Sequence, residues 1–327
     1  MRRIAPVRAA CTVLAVLAIV AGCDGGGARP AAVRPPAPGP GQWSTRADIP
    51  TPRSEVGVAV LDGRVYVVGG FGGFDGRSQA NEVYDAATDR WQARAELPLA
   101  LDHPGATAVG GRVYVVGGFD SRSGTPVADV WAYDPAADAW TRRAPMPTAR
   151  GALGIAMVGG VIYAVGGVGR DGDVTANEAY DPAADSWVRR APMPTARDHL
   201  GVAALGGVVH AVGGRFRSYT NNSGVHEVYD PATDRWSAAA PMPTARSGVA
   251  AAVLGGRLFV LGGESDRGTF PENEAYDPAT GTWNAFAGMP TPRHGIGAAV
   301  VGDVLYVPSG GPRPGASQTA RHEAFRL

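Results

Sequence analysis

The chain of 327 residues carries 30 basic and 30 acidic side chains, for a formal charge of zero. That balance excludes a one-signed field as the basis for drawing in nucleic acid or an acidic membrane surface. The 47 glycines and 27 prolines, beside 45% hydrophobic residues, predict many short strands joined by turns around a substantial core.

The amino terminus reads as an address. Arg2, Arg3 and Arg8 precede an apolar run from Ala9 to Val20, and small residues follow up to Cys23. A basic region, a short apolar region and a small-residue cleavage point predict a secretory signal peptide over residues 1–22. The apolar run is too short to span a bilayer. Val20-Ala21-Gly22-Cys23 resembles a bacterial lipobox, which implies a lipid on Cys23 and an extracytoplasmic, membrane-anchored product. The competing reading is an ordinary secretory signal with an incidental cysteine. Cys11 departs with the signal, so a lipidated chain keeps neither a free thiol nor a disulfide. Residues 23–41 are rich in Pro, Gly and Ala, have little to bury, and predict a disordered tether.

From residue 42 onward one pattern recurs. A Gly-Gly pair falls at 69–70, 117–118, 166–167, 213–214, 262–263 and 310–311, in steps of 48, 49, 47, 49 and 48 residues. Tyr-Asp falls at 84–85, 133–134, 180–181, 229–230 and 276–277, with Phe325 in the sixth slot. A tryptophan falls at 43, 91, 140, 187, 236 and 283. Within the first copy, Val56 to Leu61 predicts an inner strand whose Gly57 and Ala59 suit a crowded axis. Asp62-Gly63 predicts a hairpin. Arg64 to Val68 is β-branched and aromatic, as a buried strand should be. A polar loop follows, then a strand over Asn81 to Tyr84 and an outer strand starting at Arg90. Tyr84 and Trp91 are read as packing between neighbouring units.

A repeat of this length with Gly-Gly, Tyr and Trp marks resembles the kelch motif. The resemblance covers residues 42–327 and implies an all-β fold: a six-bladed kelch-type β-propeller of four-stranded blades. The last copy stops after three strands, and Gln42-Trp43-Ser44 has no blade before it. The amino-terminal strand is therefore expected to complete the last blade and close the ring.

Columns that repeat are read as structure. Arg53, Arg150, Arg197, Arg246 and Arg293 form one, and Glu82, Glu178, Glu227, Glu274 and Glu323 another. The second copy has Leu101 and Trp131 instead, losing both partners together. A repeated, partly buried Arg–Glu pair explains this, because one partner alone would strand a charge.

Columns that vary are read as function. The kelch resemblance implies that the segments after the arginine and after the Gly-Gly pair face one rim. Its candidates are Ser54, Glu55, Phe71, Asp102, His103, Phe119, Asp198, His199, Arg215, Glu264 and His294. Apolar walls with a few polar groups suit a ligand. The three histidines lie in copies about 120° apart and are expected to stand too far apart to share an ion, so no metal and no cofactor is expected. Asp171-Gly-Asp173 is only a fragment of a calcium loop. The glycine runs lack the Lys and helix of a phosphate loop.

The leading expectation is a non-catalytic module that binds an envelope or extracellular protein or a glycan, with no nucleic-acid partner. The alternative is a small-molecule enzyme similar to the kelch sialic-acid mutarotases, using Glu55, Glu264 and His199 for acid–base work and Arg215 for a carboxylate. A galactose-oxidase-like copper site is excluded, since the resemblance implies a cysteine and residues 42–327 have none. A purely structural scaffold is the third reading.

Overall fold

The structure, a computed structural model, describes residues 39–72, 78–120 and 123–327. The expected signal peptide, Cys23 and all of the tether before Gly39 lie outside the described residues. Among the described residues, Gly39 and Pro40 already touch the folded part, against Phe286 and Ala287. The Pro40 carbonyl accepts a bond from the Ala287 N–H, and a Cβ on Gly41 would strike the Phe325 ring.

Six four-stranded antiparallel sheets surround one axis. The first runs outward through Gly57–Leu61, Arg64–Val68, Asn81–Asp85 and Arg90–Ala93. Four more repeat it, beginning at Gly105–Val109, Gly154–Val158, Gly201–Leu205 and Ala250–Leu254. The sixth combines Ala299–Val301, Val304–Pro308 and His322–Arg326 with Gln42–Thr45 on its outside. Trp43 lies opposite Phe325 there, and Thr45 opposite Glu323. This is the expected closure of the ring by the amino-terminal strand.

Two glycine-bearing sites explain the repeat. Asp62 and Gly63 turn the first hairpin with φ of 50° and 71°, the left-handed region that these residues tolerate. Gly69 and Gly70 leave the second strand at φ 64° and 107°. A Cβ on them would lie 2.7 Å from the Leu101 carbonyl oxygen and 2.6 Å from that of Ser54. The Gly-Gly pair is thus where the next blade crosses, and the Gly70 N–H donates to Leu101.

Each blade interface holds its own apolar cluster. Val65, Val67 and Tyr84 meet Val304 and Tyr306 at the closure, and Val113 and Tyr133 meet Tyr66 and Val68 at the next interface. The tryptophans of the repeat column, Trp91, Trp140, Trp187, Trp236 and Trp283, also donate their indole N–H to an alanine carbonyl of the preceding blade. Trp43 to Ala287, at 2.7 Å, closes the set. In four blades the tyrosine hydroxyl donates to an aspartate (Asp89, Asp138, Asp185 and Asp234), which also accepts an N–H from the preceding blade.

The Arg–Glu columns pair as expected: Arg53 with Glu82, Arg150 with Glu178, Arg197 with Glu227, Arg246 with Glu274 and Arg293 with Glu323. All five guanidinium groups are fully buried. A third column was missed. Thr51, Thr148, Thr195, Thr244 and Thr291 donate to the second oxygen of the same glutamates. The second copy has Leu99 in that place, so all three polar partners are replaced together.

Candidate functional site

The site begins with a backbone feature. Two residues after the arginine column stand Glu55, His103, Ala152, His199, Gly248 and Gly295, one per blade. Their amides form a closed ring. The N–H of His103 donates to Glu55, Ala152 to His103, His199 to Ala152, Gly248 to His199, Gly295 to Gly248 and Glu55 to Gly295, at 2.6 to 3.0 Å. Reaching round the axis this way requires left-handed backbone. Glu55, His103, Ala152 and His199 have φ between 52° and 55°, alongside Gly248 at 67° and Gly295 at 58°. Glycine is the residue that conformation favours, and a non-glycine there costs on the order of 1 kcal/mol. A carboxylate and two imidazoles therefore stand where the backbone asks for glycine.

The ring floors a rim cavity of about 420 Å³. A narrow axial space of about 80 Å³ lies against the same ring and is lined by residues of all six blades. Ten of the eleven rim candidates line the cavity; Asp198 is buried behind His199. Phe71 and Phe119 supply aromatic walls. The lining also includes Tyr219, Gly124, Gly315 and Ala316, which the repeat comparison did not mark as rim positions because they sit in loops of unequal length.

Glu55 is the centre. Its Oε2 lies 3.3 Å from His103 Nε2 and 3.9 Å from His199 Nε2, and its Oε1 lies 3.2 Å from His294 Nδ1. The expectation of solvated, widely separated histidines is corrected. The rings of His103 and His199 are 4.9 Å apart, edge to face, and His294 is 1% exposed. Blades 120° apart still bring side chains together, because these residues sit on the innermost ring rather than on the wide mouth. His294 is one position out of register, yet it reaches Glu55 from the neighbouring column.

Each histidine is oriented from behind. His103 Nδ1 lies 2.7 Å from Asp102, and His199 Nδ1 is bonded to Asp198. His294 Nε2 lies 3.0 Å from the Arg313 carbonyl. A carbonyl only accepts, so that nitrogen carries a proton. The other nitrogen of His294 faces Glu55 and Glu264 and also requires a proton. Burial opposes the charge, but Glu55 and Glu264 raise the His294 pKa above its ordinary value. For His103 the same contest ends the same way, with Glu55 and Asp102 outweighing burial. His199 is lowered by burial and by the adjacent Arg215. Burial would raise Glu55, yet His103, His294 and His199 hold its carboxyl well below the usual range. Asp198 is held at about 2 by His199 and Arg215 against its burial.

Arg215 already has its partners. Its Nε donates to Asp198 at 2.9 Å, Nη1 to Glu264 at 2.8 Å and Nη2 to His199 Nε2 at 2.9 Å. The Gly315 N–H donates to the other oxygen of Glu264. Arg215, which the alternative reading gives to a ligand carboxylate, is ion-paired with two carboxylates of the protein, Asp198 and Glu264. Asp171-Gly-Asp173, read from the sequence as too little for a calcium loop, belongs to a tight turn between Val168–Gly169 and Gly172–Asp173. Asp173 is raised to about 6 by burial and by the neighbouring Asp198.

Comparison with known proteins agrees with this architecture. A family model described as the KLHDC2/KLHL20/DRC7 Kelch-repeats domain matches residues 41–214. The Kelch motif model matches residues 196–243 and 245–290. The solved structure of YjhT superposes with a TM-score of 0.74 and 17% identity, over 87% of this chain and 100% of that one, a likeness of fold. No curated protein matches the sequence. With five Gly-Gly crossings and a Ser309-Gly310 crossing in the last blade, six Trp latches and family models spanning both halves, the chain belongs to the kelch-repeat β-propeller family.

Proposed function

We propose that this propeller is a binding module that takes a small hydroxyl-rich ligand, a sugar or the end of a glycan, in its rim cavity. One observation carries the reading. Convergent carboxylates and imidazoles lie between the Phe71 and Phe119 walls of a 420 Å³ cavity, a size and lining that suit one small polar molecule. Its electrostatics favour a ligand without negative charge. Three carboxylates, Glu55, Glu264 and Asp102, line the cavity beside one guanidinium, and that group, Arg215, is already paired with Asp198 and Glu264. An acidic sugar would meet this surplus with Arg215 already engaged. The aromatic walls supply faces for the apolar side of a sugar ring.

We place the module on the extracytoplasmic face of a bacterial membrane, held by a lipid on Cys23, on the strength of the lipobox resemblance. Cys23→Ser should move the protein from the membrane fraction to the soluble fraction; continued membrane association in that variant would refute the anchor.

The ligand reading is tested by thermal shift against neutral sugars, with sialic acid as the charged comparison. A ligand at a hundred times its Kd adds about 2.7 kcal/mol of stability. Stabilisation by a neutral sugar that disappears in Phe119→Ala is the expected result. Stabilisation by the acid alone would overturn the charge argument. A second reading, acid–base chemistry on the bound sugar, draws on the 3.3 Å approach of His103 to Glu55 with Asp102 behind it. Exchange of sugar anomers accelerated by the protein, and lost in Glu55→Gln, would establish it.

A further inference from the structure

We propose that Glu55, His103 and His199 form a binding site for a first-row divalent transition metal such as Zn²⁺ or Co²⁺. The proposal goes beyond the sugar reading and does not depend on it, because the ion is tested alone.

The donor atoms come first. One ligand atom from each of Glu55, His103 and His199 lies within 4.8 Å of the others, and Glu55 Oε2 is 3.3 Å from His103 Nε2 and 3.9 Å from His199 Nε2. Two imidazoles and one carboxylate are a ligand set that these metals favour over Mg²⁺ or Ca²⁺, which take oxygen. Three protein ligands leave the remaining positions open, here towards the cavity.

The outer shell comes second. Each of the three ligands has its other polar atom held. Asp102 takes His103 Nδ1, Asp198 takes His199 Nδ1, and His294 Nδ1 lies 3.2 Å from the second oxygen of Glu55. A carboxylate behind each imidazole fixes the tautomer that presents Nε2 to the ion and makes that nitrogen a stronger donor.

The backbone is an independent third observation. All three ligands occupy left-handed positions that the same ring fills with glycine in two other blades. Of the four strained non-glycine residues in the ring, Ala152 being the fourth, these three carry the side chains that converge, and strain of this kind clusters at functional sites.

Binding exchanges two existing interactions. The ion takes the place of the proton between His103 Nε2 and Glu55, and that proton leaves to solvent. It also takes the His199 Nε2 lone pair from Arg215, whose guanidinium keeps Asp198 and Glu264.

The test uses the full chain, stripped with chelator and titrated with Co²⁺, whose visible absorption reports nitrogen ligation and low coordination number. The expected result is one saturating absorption band that excess Zn²⁺ abolishes. His103→Gly and His199→Gly suit the left-handed backbone, so both should fold with a cooperative melting transition, and each should lose the band. Asp102→Asn should retain the band with affinity weakened about 10- to 100-fold. Absence of a band in the native protein, or its persistence in either glycine variant, overturns the site.

Discussion

His210 and His226 show how a single residue can be read once its column is known. Asn81, Asn177 and Asn273 each donate from the side-chain amide to an alanine carbonyl of their own blade's exit segment. His226 stands in that column and reaches the Ala240 carbonyl through Nδ1. Its Nε2 lies 2.8 Å from His210 Nδ1, so the neutral pair forms a chain of one-way donors. Burial lowers both histidines to about 4. His322, in the same column, is lowered by burial to about 3. The unfolded chain takes up these protons near the ordinary value of 6.5, and the folded chain resists. Their contribution to stability is complete above about pH 6.5 and is lost as pH falls towards 4. The melting temperature should therefore be level above neutrality and drop steeply across that window. Phe259 and Asn273 occupy the equivalent positions one blade on. The double variant His210→Phe/His226→Asn should flatten the drop, recovering on the order of 3 kcal/mol near pH 4. An unchanged profile in that variant would refute the assignment.

At the scale of the blade, the conserved-looking unit is a triad. Arg246 is buried, and it donates to Glu274 and to the Thr244, Val260 and Gly262 carbonyls, while Thr244 donates to Glu274. Arg246→Met should cost about 3–5 kcal/mol, because it leaves Glu274 and three carbonyls in a dry interior. The second blade shows the apolar solution, with Leu99, Leu101 and Trp131 in the three places. Transplanting it as Thr244→Leu/Arg246→Leu/Glu274→Trp should cost less than Arg246→Met alone. Chemical denaturation of the two variants decides the order, and the reverse order would mean that backbone donors, not the ion pair, set the cost. This scale was legible in the sequence, because a feature repeated five times and lost in concert announces a mutual contact. Thr51 and its equivalents escaped notice because the repeated Met-Pro-Thr-Ala-Arg run reads as a turn. The site was legible only in its membership. Glu55, His103 and His199 were marked as irregular residues, but their meeting depends on positive φ at residues that rarely adopt it. No pattern of side-chain types encodes that, so the rim was expected to be wide.

For the whole molecule, the decisive joint is between the two ends. Gln42–Thr45 pairs with His322–Arg326, and Trp43 packs on Phe325 with ring centroids 5.2 Å apart while its N–H reaches Ala287. Removing residues 42–48 exposes the edge of the last sheet and opens the Phe259, Phe286 and Phe325 cluster to water. The ring should then melt at lower temperature and with less cooperativity; retention of the native transition would show that five complete blades suffice. Trp43→Ala should act in the same direction at a cost of about 3–5 kcal/mol, at the low end because the ring is half-buried.

The ring of six amides beneath the cavity has an electrostatic consequence. Every N–H in it points round the axis in the same rotational sense, each blade donating to its predecessor. Dipoles laid tangentially on a closed circle cancel as vectors, unlike the stacked dipoles of a helix end. The floor therefore offers no polarity of its own along the line by which a ligand enters. What that ligand feels is set by the six side chains mounted on the circle, here one carboxylate, two imidazoles, a methyl and two hydrogens. Exchanging those six would rewrite the selectivity of the rim without disturbing the hoop that carries them.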